Sequence, residues 1–580
     1  MRSPLMAGIL LVSLILACAV GVVVLLRGTT TAAPIEALPR DTSLLVRLQN
    51  PAELWRAVAR TALARPDEEV PAAAIELIEP ALRSRGITLP AGAEAFLASR
   101  QREVLLALVP SDANTPAGLV LVLDLGDTSH GFLRQAQQLL GSEARWTSRS
   151  RHGREYITMR TQGGNLHVAG LKGLGIVTST GMAMRSVLDV LDGRGEPLGS
   201  DPAYRAARDR LGRRAGVLAW ISGAWIVDRL ERVFSESSER RALKLLGLEA
   251  TSGIGLEVDI RGAWFRERLF IAMKGERRGL PAELMAGAAR QHRASHLVPA
   301  GFPFYLSVSC SHLDAVYRRL PEILATSTGG NRRELRERLE GAEKFMALDL
   351  ASGLFAALGD ELVIGFGRTS PWPRGAPDRQ LLQTPAVASI GVANRTTISG
   401  FLERLDGLAR ALSAYETAGR EQRLITSYNL AVLAPLRPAY WLTSGRMMAA
   451  TSPEMLASAL DAGARGESWA DLPGVDDLLG RLPDRSHALF MADPAKVADV
   501  LGVSGRHEPI ARIGAFMGLS AVGLSPIAIT ARMTSSGLLV DSVGSVSPAL
   551  LIALSLSERE SAKDRAEDAV RSGLDETIPY

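Results

Sequence analysis

Cysteine is nearly absent from this chain of 580 residues, which contains only Cys18 and Cys310. Cys18 lies inside an apolar segment long enough to enter a bilayer, so we do not expect the two thiols to form a structural disulfide. The body of the protein must therefore be held together by burial of apolar side chains. The cysteine content does not identify the redox compartment.

Long runs of charge of one sign are also missing. The 66 basic and 62 acidic residues are interspersed, and the net charge is +4. Without a basic stripe that could follow a phosphate backbone, nucleic acid is not expected as a partner. Apolar residues make up 47% and charged residues 22% of the chain. This balance is typical of a globular protein, and the length allows two large domains or several smaller ones.

Local motifs of common catalytic and cofactor sites are absent as well. The sequence has no Walker loop, dinucleotide-binding glycine fingerprint, zincin helix, Cys-x-x-Cys pair or calcium loop. Residues 170–175 (GLKGLG) are the nearest glycine-rich candidate. They precede a predicted strand, which favours a hairpin turn over a phosphate-binding loop. We therefore predict a non-enzymatic protein with no cofactor, no metal site and no catalytic residue.

An apolar N-terminal segment is the clearest targeting signal. Residues 5–26 contain no charge, and a bilayer core requires about 20 such residues. A cleavable signal usually has a shorter apolar region of about 7 to 15 residues. We predict that residues 1–27 form a retained transmembrane signal anchor, followed by a linker at 28–34. The body would then lie in the periplasm or extracytoplasmic space of a bacterium.

Two alternatives to this anchor remain open. Residues 15–18 (ILAC) resemble a lipoprotein cleavage box, which would place a lipid on Cys18. Eight further apolar residues follow Cys18, whereas a lipidated cysteine is normally followed by polar chain. The inverted orientation is the second alternative, because Arg2 and the amino terminus are balanced only by Arg27.

The strongest pattern in the sequence is an internal repeat at an offset of 260 to 270 residues. Residues 38–46 (LPRDTSLLV) lead into a strand and then a helix, and residues 298–309 lead into a similar pair. Strands predicted at 104–109 and 119–125 are followed by a capped helix at 131–140. Five such blocks recur in one order in the second half of the chain.

The repeat defines the predicted fold. Short or alternating strands joined by tight turns favour mainly antiparallel sheets with helices on one face. We predict an α+β fold of two tandem copies of a sheet-plus-helices unit, preceded by one transmembrane helix. The first copy would span 35–295 and the second 296–545. Residues 546–580 would form a charged helical tail that begins with a capping box, Ser557 with Glu560.

Several of these segments resemble a known family of bacterial exported or membrane-anchored proteins, catalogued as domain of unknown function 3352. The segments that carry the resemblance are residues 38–42 (LPRDT), 118–123 (GLVLVL), 174–179 (LGIVTS), 182–187 (MAMRSV) and 197–204 (PLGSDPAY). The similarity covers most of residues 35–545. It implies export and a similar topology. It implies no catalytic residue, because these motifs are architectural.

Two pairs of residues carry side chains that could form a reactive or metal-binding site. Cys310 and His312 could form a thiolate and base, but both lie where a strand passes into a helix. A partly buried thiol and a helix-start histidine are the favoured interpretation. His292 and His296 are spaced as two ligands on one helix face, but two ligands do not complete a zinc site.

Asp124 and Asp127 resemble the paired carboxylates of general acid–base catalysis. The corresponding positions of the second repeat are Gly391 and Asn394, which cannot perform this chemistry. Asp127 is better explained as the cap of the following helix. No catalytic role is predicted for either residue.

The loop at 368–380 is the one feature that the predicted fold does not explain. Pro371, Trp372 and Pro373 lie in this loop, which is longer than its counterpart at 110–117. A tryptophan between two prolines loses little conformational freedom on binding, so Trp372, with Pro371 and Pro373, is a candidate contact for a partner. The favoured interpretation is that Trp372 folds back onto its own sheet.

These observations favour a membrane-anchored extracytoplasmic scaffold or binding module, with residues 5–26 contacting the membrane and an envelope protein as partner. A hydrolase or transferase with a dispersed active site is the alternative from another class. A carrier of an apolar ligand is a third, because the apolar content could line a groove.

Overall fold

The computed structural model describes residues 33–50, 53–54, 57, 103–110, 117–125, 132–133, 146–161, 164–212, 216–227, 247–262, 264–275, 280–328, 331–346, 349–367, 385–411, 414–420, 423–429, 437–500 and 525–548. The predicted membrane segment at 5–26 lies outside this set, as does the tail beyond residue 548. Across the described ranges, no helix combines the length and the apolar character needed to span a membrane.

Within these described ranges, twenty strands form one sheet, and all their pairings are antiparallel. The strands are β1 Leu44–Gln49, β2 Glu103–Val109, β3 Gly118–Asp124, β4 Trp146–Arg151, β5 Arg154–Thr161, β6 Gly164–Leu171, β7 Leu174–Thr178, β8 Val217–Ser222, β9 Thr251–Arg261, β10 Trp264–Met273, β11 Phe304–Ser309, β12 Leu358–Phe366, β13 Ala386–Val392, β14 Tyr415–Arg420, β15 Arg423–Tyr428, β16 Ala439–Leu442, β17 Arg446–Ala450, β18 Ala488–Ala492, β19 Ile527–Thr534 and β20 Gly537–Gly544.

The spatial order of the strands is β4-β5-β6-β7-β3-β2-β1-β8-β9-β10-β20-β19-β18-β11-β12-β13-β17-β16-β15-β14. Outward from the pair β10–β20, the strands on the first side follow the order β10, β9, β8, β1, β2, β3, β7, β6, β5, β4. The strands on the second side follow the same order with each number raised by ten.

The prediction of two tandem units, each with its own sheet, is wrong. Strands β10 and β20 pair from Phe265 with Gly544 to Ala272 with Gly537, so one continuous sheet crosses the predicted boundary at 295. We call this β10–β20 pairing the seam. The physical reason is that an unpaired strand edge leaves a row of backbone donors and acceptors without partners, and the seam satisfies two such edges at once.

Helices pack on both faces of the sheet, whereas one face was predicted. The helices in the described residues are α1 Gly181–Leu191, α2 Pro202–Arg210, α3 Leu280–Leu284, α4 Leu313–Thr328, α5 Arg332–Met346, α6 Arg395–Ala411, α7 Pro453–Arg465, α8 Val475–Gly480 and α9 Pro494–Val500, with short 3-10 and π turns between them. Helix α7 packs with Met448 of β17, and α6 packs with Met447. Because successive side chains of a strand point to opposite faces, these two helices cover opposite faces.

The largest cores lie beneath the helices on either side of the seam, and the seam strands contribute to both. One core buries Val187 of α1 with Trp220 of β8, and also contains Phe270 of β10 and Leu539 of β20. The other surrounds Trp469, whose Nε1 donates to the Phe302 carbonyl at 3.1 Å. The seam is therefore part of the hydrophobic interior.

Local sequence signals explain where several elements begin and turn. Asp201 and Ser452 accept hydrogen bonds from the first-turn amides of α2 and α7, at 2.8 and 3.1 Å, and a proline follows each of them. The predicted hairpin at 170–175 is confirmed. Lys172 and Gly173 both have positive φ, of 51° and 81°, as a two-residue turn between β6 and β7 requires.

Gly537 lies on β20 where the backbones of β10 and β20 approach each other closely. It has a φ of +150°, and a Cβ atom there would lie 2.0 Å from the Ile271 carbonyl oxygen. We expect Gly537→Ala to lower the free energy of unfolding by about 3 kcal/mol or more, measured by urea denaturation. Gly262→Ala is the matched control, because Gly262 also has positive φ but has open space around it. The control should cost only about 1 kcal/mol, and equal losses would contradict a clash at the seam.

Candidate functional site

A charged groove lies over the first-half side of the seam. Its cavity is about 380 Å³ and is lined by Gly212, Glu257, Asp259, Arg261, Arg266, Glu267 and Arg268. Gly212 of the lining follows helix α2, which packs against β9 and β10. Trp264 of β10 belongs to the core of the second side, with the Arg481 guanidinium 5.0 Å from its ring centre. We call this site the seam groove.

The β9–β10 hairpin places the charges of the seam groove side by side. Arg268 pairs directly with Glu257, and Arg266 pairs directly with Asp259. Directly opposed residues of an antiparallel pair share a face, so these four side chains point to the same side of the sheet. The floor of the groove is therefore a ladder of alternating acidic and basic groups.

Most carboxylates of this floor are already held by internal donors. Glu257 accepts the Gly212 N–H at 2.5 Å and lies 3.7 Å from Arg268. Asp541, which is 2% exposed, accepts from Arg268 Nε and from an Arg532 terminal nitrogen, each at 3.0 Å. A buried carboxylate is tolerated when charged donors surround it in this way.

Two further carboxylates are fixed nearby. Asp259 shares the face of Glu257, and Glu267 points to the opposite face of β10 because successive strand residues alternate. Asp259 accepts from Arg261 Nε at 2.7 Å at the exposed rim. Glu267 is 5% exposed and accepts from the hydroxyl of Ser542 at 3.3 Å and from that of Ser547. These side chains are positioned before any ligand arrives.

Arg266 differs from the other arginines of the groove. It is partly buried, and its guanidinium forms no ion pair or hydrogen bond with any part of the chain that the structure describes. A guanidinium presents five donors in a planar fork that matches a carboxylate or phosphate. The lining holds three acidic and three basic residues, so the groove has no net charge, but the donors of Arg266 are not committed within the described residues.

The predicted contact residues Pro371, Trp372 and Pro373 lie outside the described residues. Their role as a partner contact stays a prediction. The seam groove was not predicted from the sequence, because its strands come from segments of the chain that are far apart. The only local signal for it was the charged alternation along β9 and β10.

Cys310 and His312 lie at the end of β11 and the start of α4, as predicted. Cys310 is 4% exposed, and burial raises the pKa of its thiol to about 11. His312 is exposed, and its carbonyl accepts from the amides of Ala315 and Val316 in the first turn of α4. The arrangement favours a neutral, buried thiol over a nucleophile.

The chemistry of Cys310 can be tested by alkylation in a Cys18→Ser background, which leaves one thiol. Because the thiol stays protonated below about pH 11, native protein at pH 8 should react with iodoacetamide at least about 100-fold more slowly than urea-unfolded protein. The rate is measured by mass spectrometry of the intact chain. Equal rates in the two states would show that Cys310 is accessible and ionised.

His292 and His296 are not brought together as a ligand pair. His292 uses both ring nitrogens internally, with Nδ1 2.7 Å from Ser307 Oγ and Nε2 3.2 Å from the Ser486 carbonyl oxygen. His296 Nδ1 donates instead to the Arg293 carbonyl at 2.8 Å. Across the described ranges, no group of three or more potential metal ligands is present.

The hydroxyl of Ser307 has two alternative acceptors. Glu361 Oε1 lies 3.2 Å from Ser307 Oγ and also accepts the Arg293 N–H at 3.0 Å. When His292 is neutral and its Nε2–H donates to the Ser486 carbonyl, Nδ1 carries no proton. Nδ1 must then accept a hydrogen bond from the Ser307 hydroxyl. Protonated His292 donates at Nδ1 instead, which turns the Ser307 hydroxyl towards Glu361. Burial lowers the pKa of His292, Glu361 and the Ser486 carbonyl raise it in part, and His487 lowers it.

This lowered pKa predicts a pH dependence of stability. Neutral His292 stabilises the fold above the ordinary histidine value of 6.5, and this contribution should fall as pH drops below 6.5 towards the lowered value. His292→Gln keeps a neutral donor and acceptor, so its free energy of unfolding should fall less between pH 7 and pH 5 than that of the wild type. Urea denaturation at each pH measures the difference, and parallel profiles would contradict the prediction.

Asp124 is among the described residues and Asp127 is not, so the structure gives no distance between their carboxylates. Asp124 instead lies near Glu103 at the ends of the neighbouring strands β3 and β2. Burial raises the pKa of Glu103, Arg47 lowers it and Asp124 raises it. Sequence reasoning missed Glu103, and the register of β2 with β3 is the signal that could have found it.

Comparison with known proteins gives little support for an assignment. No family model matches the chain, and no curated protein matches it. Crystal forms III, I and IV of TP0453 match at 12%, 12% and 11% identity, with TM-scores of 0.25, 0.23 and 0.24. The alignments cover 45%, 45% and 42% of this chain and 90%, 88% and 81% of those chains. Similarity at this level carries neither fold nor function to this protein.

Proposed function

We propose that this protein is a non-enzymatic scaffold or binding module of the bacterial envelope. The apolar segment 5–26 would hold it at the membrane, with the body on the extracytoplasmic side. The observation that carries the proposal is the seam groove, where fixed ion pairs surround one arginine, Arg266, that has no partner among the described residues. Pre-positioned charges of this kind suit recognition of a partner.

The protonation states of the buried titratable groups favour a binding role over catalysis. Burial raises the pKa of the Cys310 thiol and lowers the pKa of His292, so both shifts favour the neutral form. A neutral thiol is a poor nucleophile. Burial also raises the pKa of Tyr305, which keeps its hydroxyl protonated. The buried carboxylates Glu267 and Asp541 are occupied by serine and arginine donors.

An apolar ligand does not suit the seam groove. Six of its seven lining residues carry formal charge, so an apolar ligand would displace water from ionic groups without replacing their hydrogen bonds. A charged protein surface can replace those bonds. A protein partner is therefore the better occupant of this site.

Site-specific photo-crosslinking in native envelopes tests the proposal. With p-benzoylphenylalanine at position 261, on the rim of the groove, the full-length protein should yield an adduct with one defined envelope protein. Position 149 is the control, because Arg149 is exposed on β4 at the far edge of the sheet. Adducts of the same identity and yield at both positions, or none at position 261, would contradict a binding role for the groove.

A further inference from the structure

The two strands of the seam correspond residue by residue. Each is the second strand of a hairpin, β9–β10 or β19–β20, and the residues that flank the two turns pair in the same way, Arg261 with Trp264 and Thr534 with Gly537. When the hairpins are aligned by these turns, Arg268 of β10 is equivalent to Asp541 of β20. These two equivalent residues are also direct partners across the seam. The seam therefore has an approximate two-fold axis that passes through the pair Arg268–Asp541.

At this axis the two equivalent residues carry opposite charges. Asp541 is 2% exposed and accepts from Arg268 Nε at 3.0 Å. Each residue also has a charged neighbour on its own side, since Arg532 donates to Asp541 at 3.0 Å and Arg268 lies 3.7 Å from Glu257. The four groups hold two positive and two negative charges. Among these contacts, only the one between Arg268 and Asp541 joins the two sides of the seam.

An interface with a two-fold axis invites pairing between identical surfaces of two copies. If β10 paired with β10 of a second copy in the register that β20 uses, Arg268 would lie opposite Arg268. If β20 paired with β20, two buried Asp541 carboxylates would lie opposite each other. Like charges directly opposite each other destabilise an antiparallel pair, and a buried carboxylate that loses an ionic partner is costly. Both like pairings therefore lose the ion pair that the observed seam contains.

The backbone path of β20 adds a steric reason. Gly537 is equivalent to Trp264 and lies opposite Ala272. A Cβ atom on the backbone of Gly537 would lie 2.0 Å from the Ile271 carbonyl oxygen. A second copy of β10 on this path would place Trp264 where Gly537 lies. Strand β10 therefore fits β20 better than it fits another β10.

We propose that the seam is an interface between two equivalent units that are joined in one chain, and that Arg268 with Asp541 selects pairing of the unlike strands β10 and β20. Like strands of two copies are rejected because they bring equal charges to the axis. The competing partner is a second copy of this chain, which presents the same two strands. This selection is independent of the proposed binding function, and its tests do not depend on any ligand.

Exchanging charges on one side of the seam at a time tests the proposal. The second-side exchange is Asp541→Arg with Arg532→Asp, and the first-side exchange is Arg268→Asp with Glu257→Arg. Each keeps opposite charges within its own side but brings equal charges to the axis, and the two exchanges together restore opposite charges there. We expect the second-side exchange to lower the folding equilibrium constant of the wild type at least about tenfold, and to raise that of the first-side exchange at least about tenfold. Urea denaturation of the full-length protein measures both effects, and a decrease in both backgrounds would overturn the proposal.

A neutral pair of substitutions decides the question if an exchanged variant does not fold. Arg268→Gln should lower the folding equilibrium constant at least about tenfold in the wild type, because it leaves a buried carboxylate with one ionic partner fewer. In an Asp541→Asn background the same substitution should lower it less than about threefold, since the cross-seam ion pair is already lost. Equal losses in the two backgrounds would show that the two side chains do not act together.

Partner choice is measured by refolding two variants together. The tagged second-side exchange and the untagged first-side exchange offer each other opposite charges at both seam strands. Affinity capture should therefore retain at least about tenfold more untagged chain from this mixture than from a mixture of tagged and untagged copies of either variant. Asp259→Asn is the matched control, because it removes a carboxylate that is bonded to Arg261 away from the axis, and its tagged and untagged copies should stay separate. Equal capture from the mixed and the unmixed variants would contradict selection by charge.

Discussion

The antiparallel pairing of β10 with β20 is the interaction on which the rest of the structure depends. Eight residue pairs, from Phe265 with Gly544 to Ala272 with Gly537, join strands that would otherwise be sheet edges. The pairing also completes both cores, since Phe270 and Leu539 lie in one and Trp264 and Val543 contact the other. Loss of the seam would therefore expose apolar side chains as well as backbone groups.

The electrostatics of the seam depend on the same pairing. Asp541 enters from β20, and its buried carboxylate is tolerable only because Arg268 of β10 and Arg532 of β19 reach it. Glu267 of β10 relies in the same way on Ser542 and Ser547 of the segment that pairs with it. Buried charges stabilise a fold little by themselves, but a misaligned register would leave them unpaired, which is strongly unfavourable. These contacts therefore favour the observed register over a shifted one.

Local elements could be predicted from the sequence, and long-range partners could not. Asp201 with Pro202, and Ser452 with Pro453, identify helix starts because caps act over three residues. Lys172 and Gly173 mark a turn for the same local reason. The sequence does not reveal that Phe265 meets Gly544, because strand pairing across such a separation leaves no periodic signal. The seam groove, Arg266 and the approach of Glu103 to Asp124 were missed for that reason.

The separation of the seam strands has a consequence for synthesis. Phe265 pairs with Gly544, which is synthesised 279 residues later. At about 5 to 20 residues per second, this delay is about 14 to 56 s. During that time β10 is an open edge and a template for aggregation. Three consecutive charged residues, Arg266, Glu267 and Arg268, stand on this edge. The same side chains that later line the groove would discourage neighbouring nascent chains from pairing with β10 while it waits for its own partner.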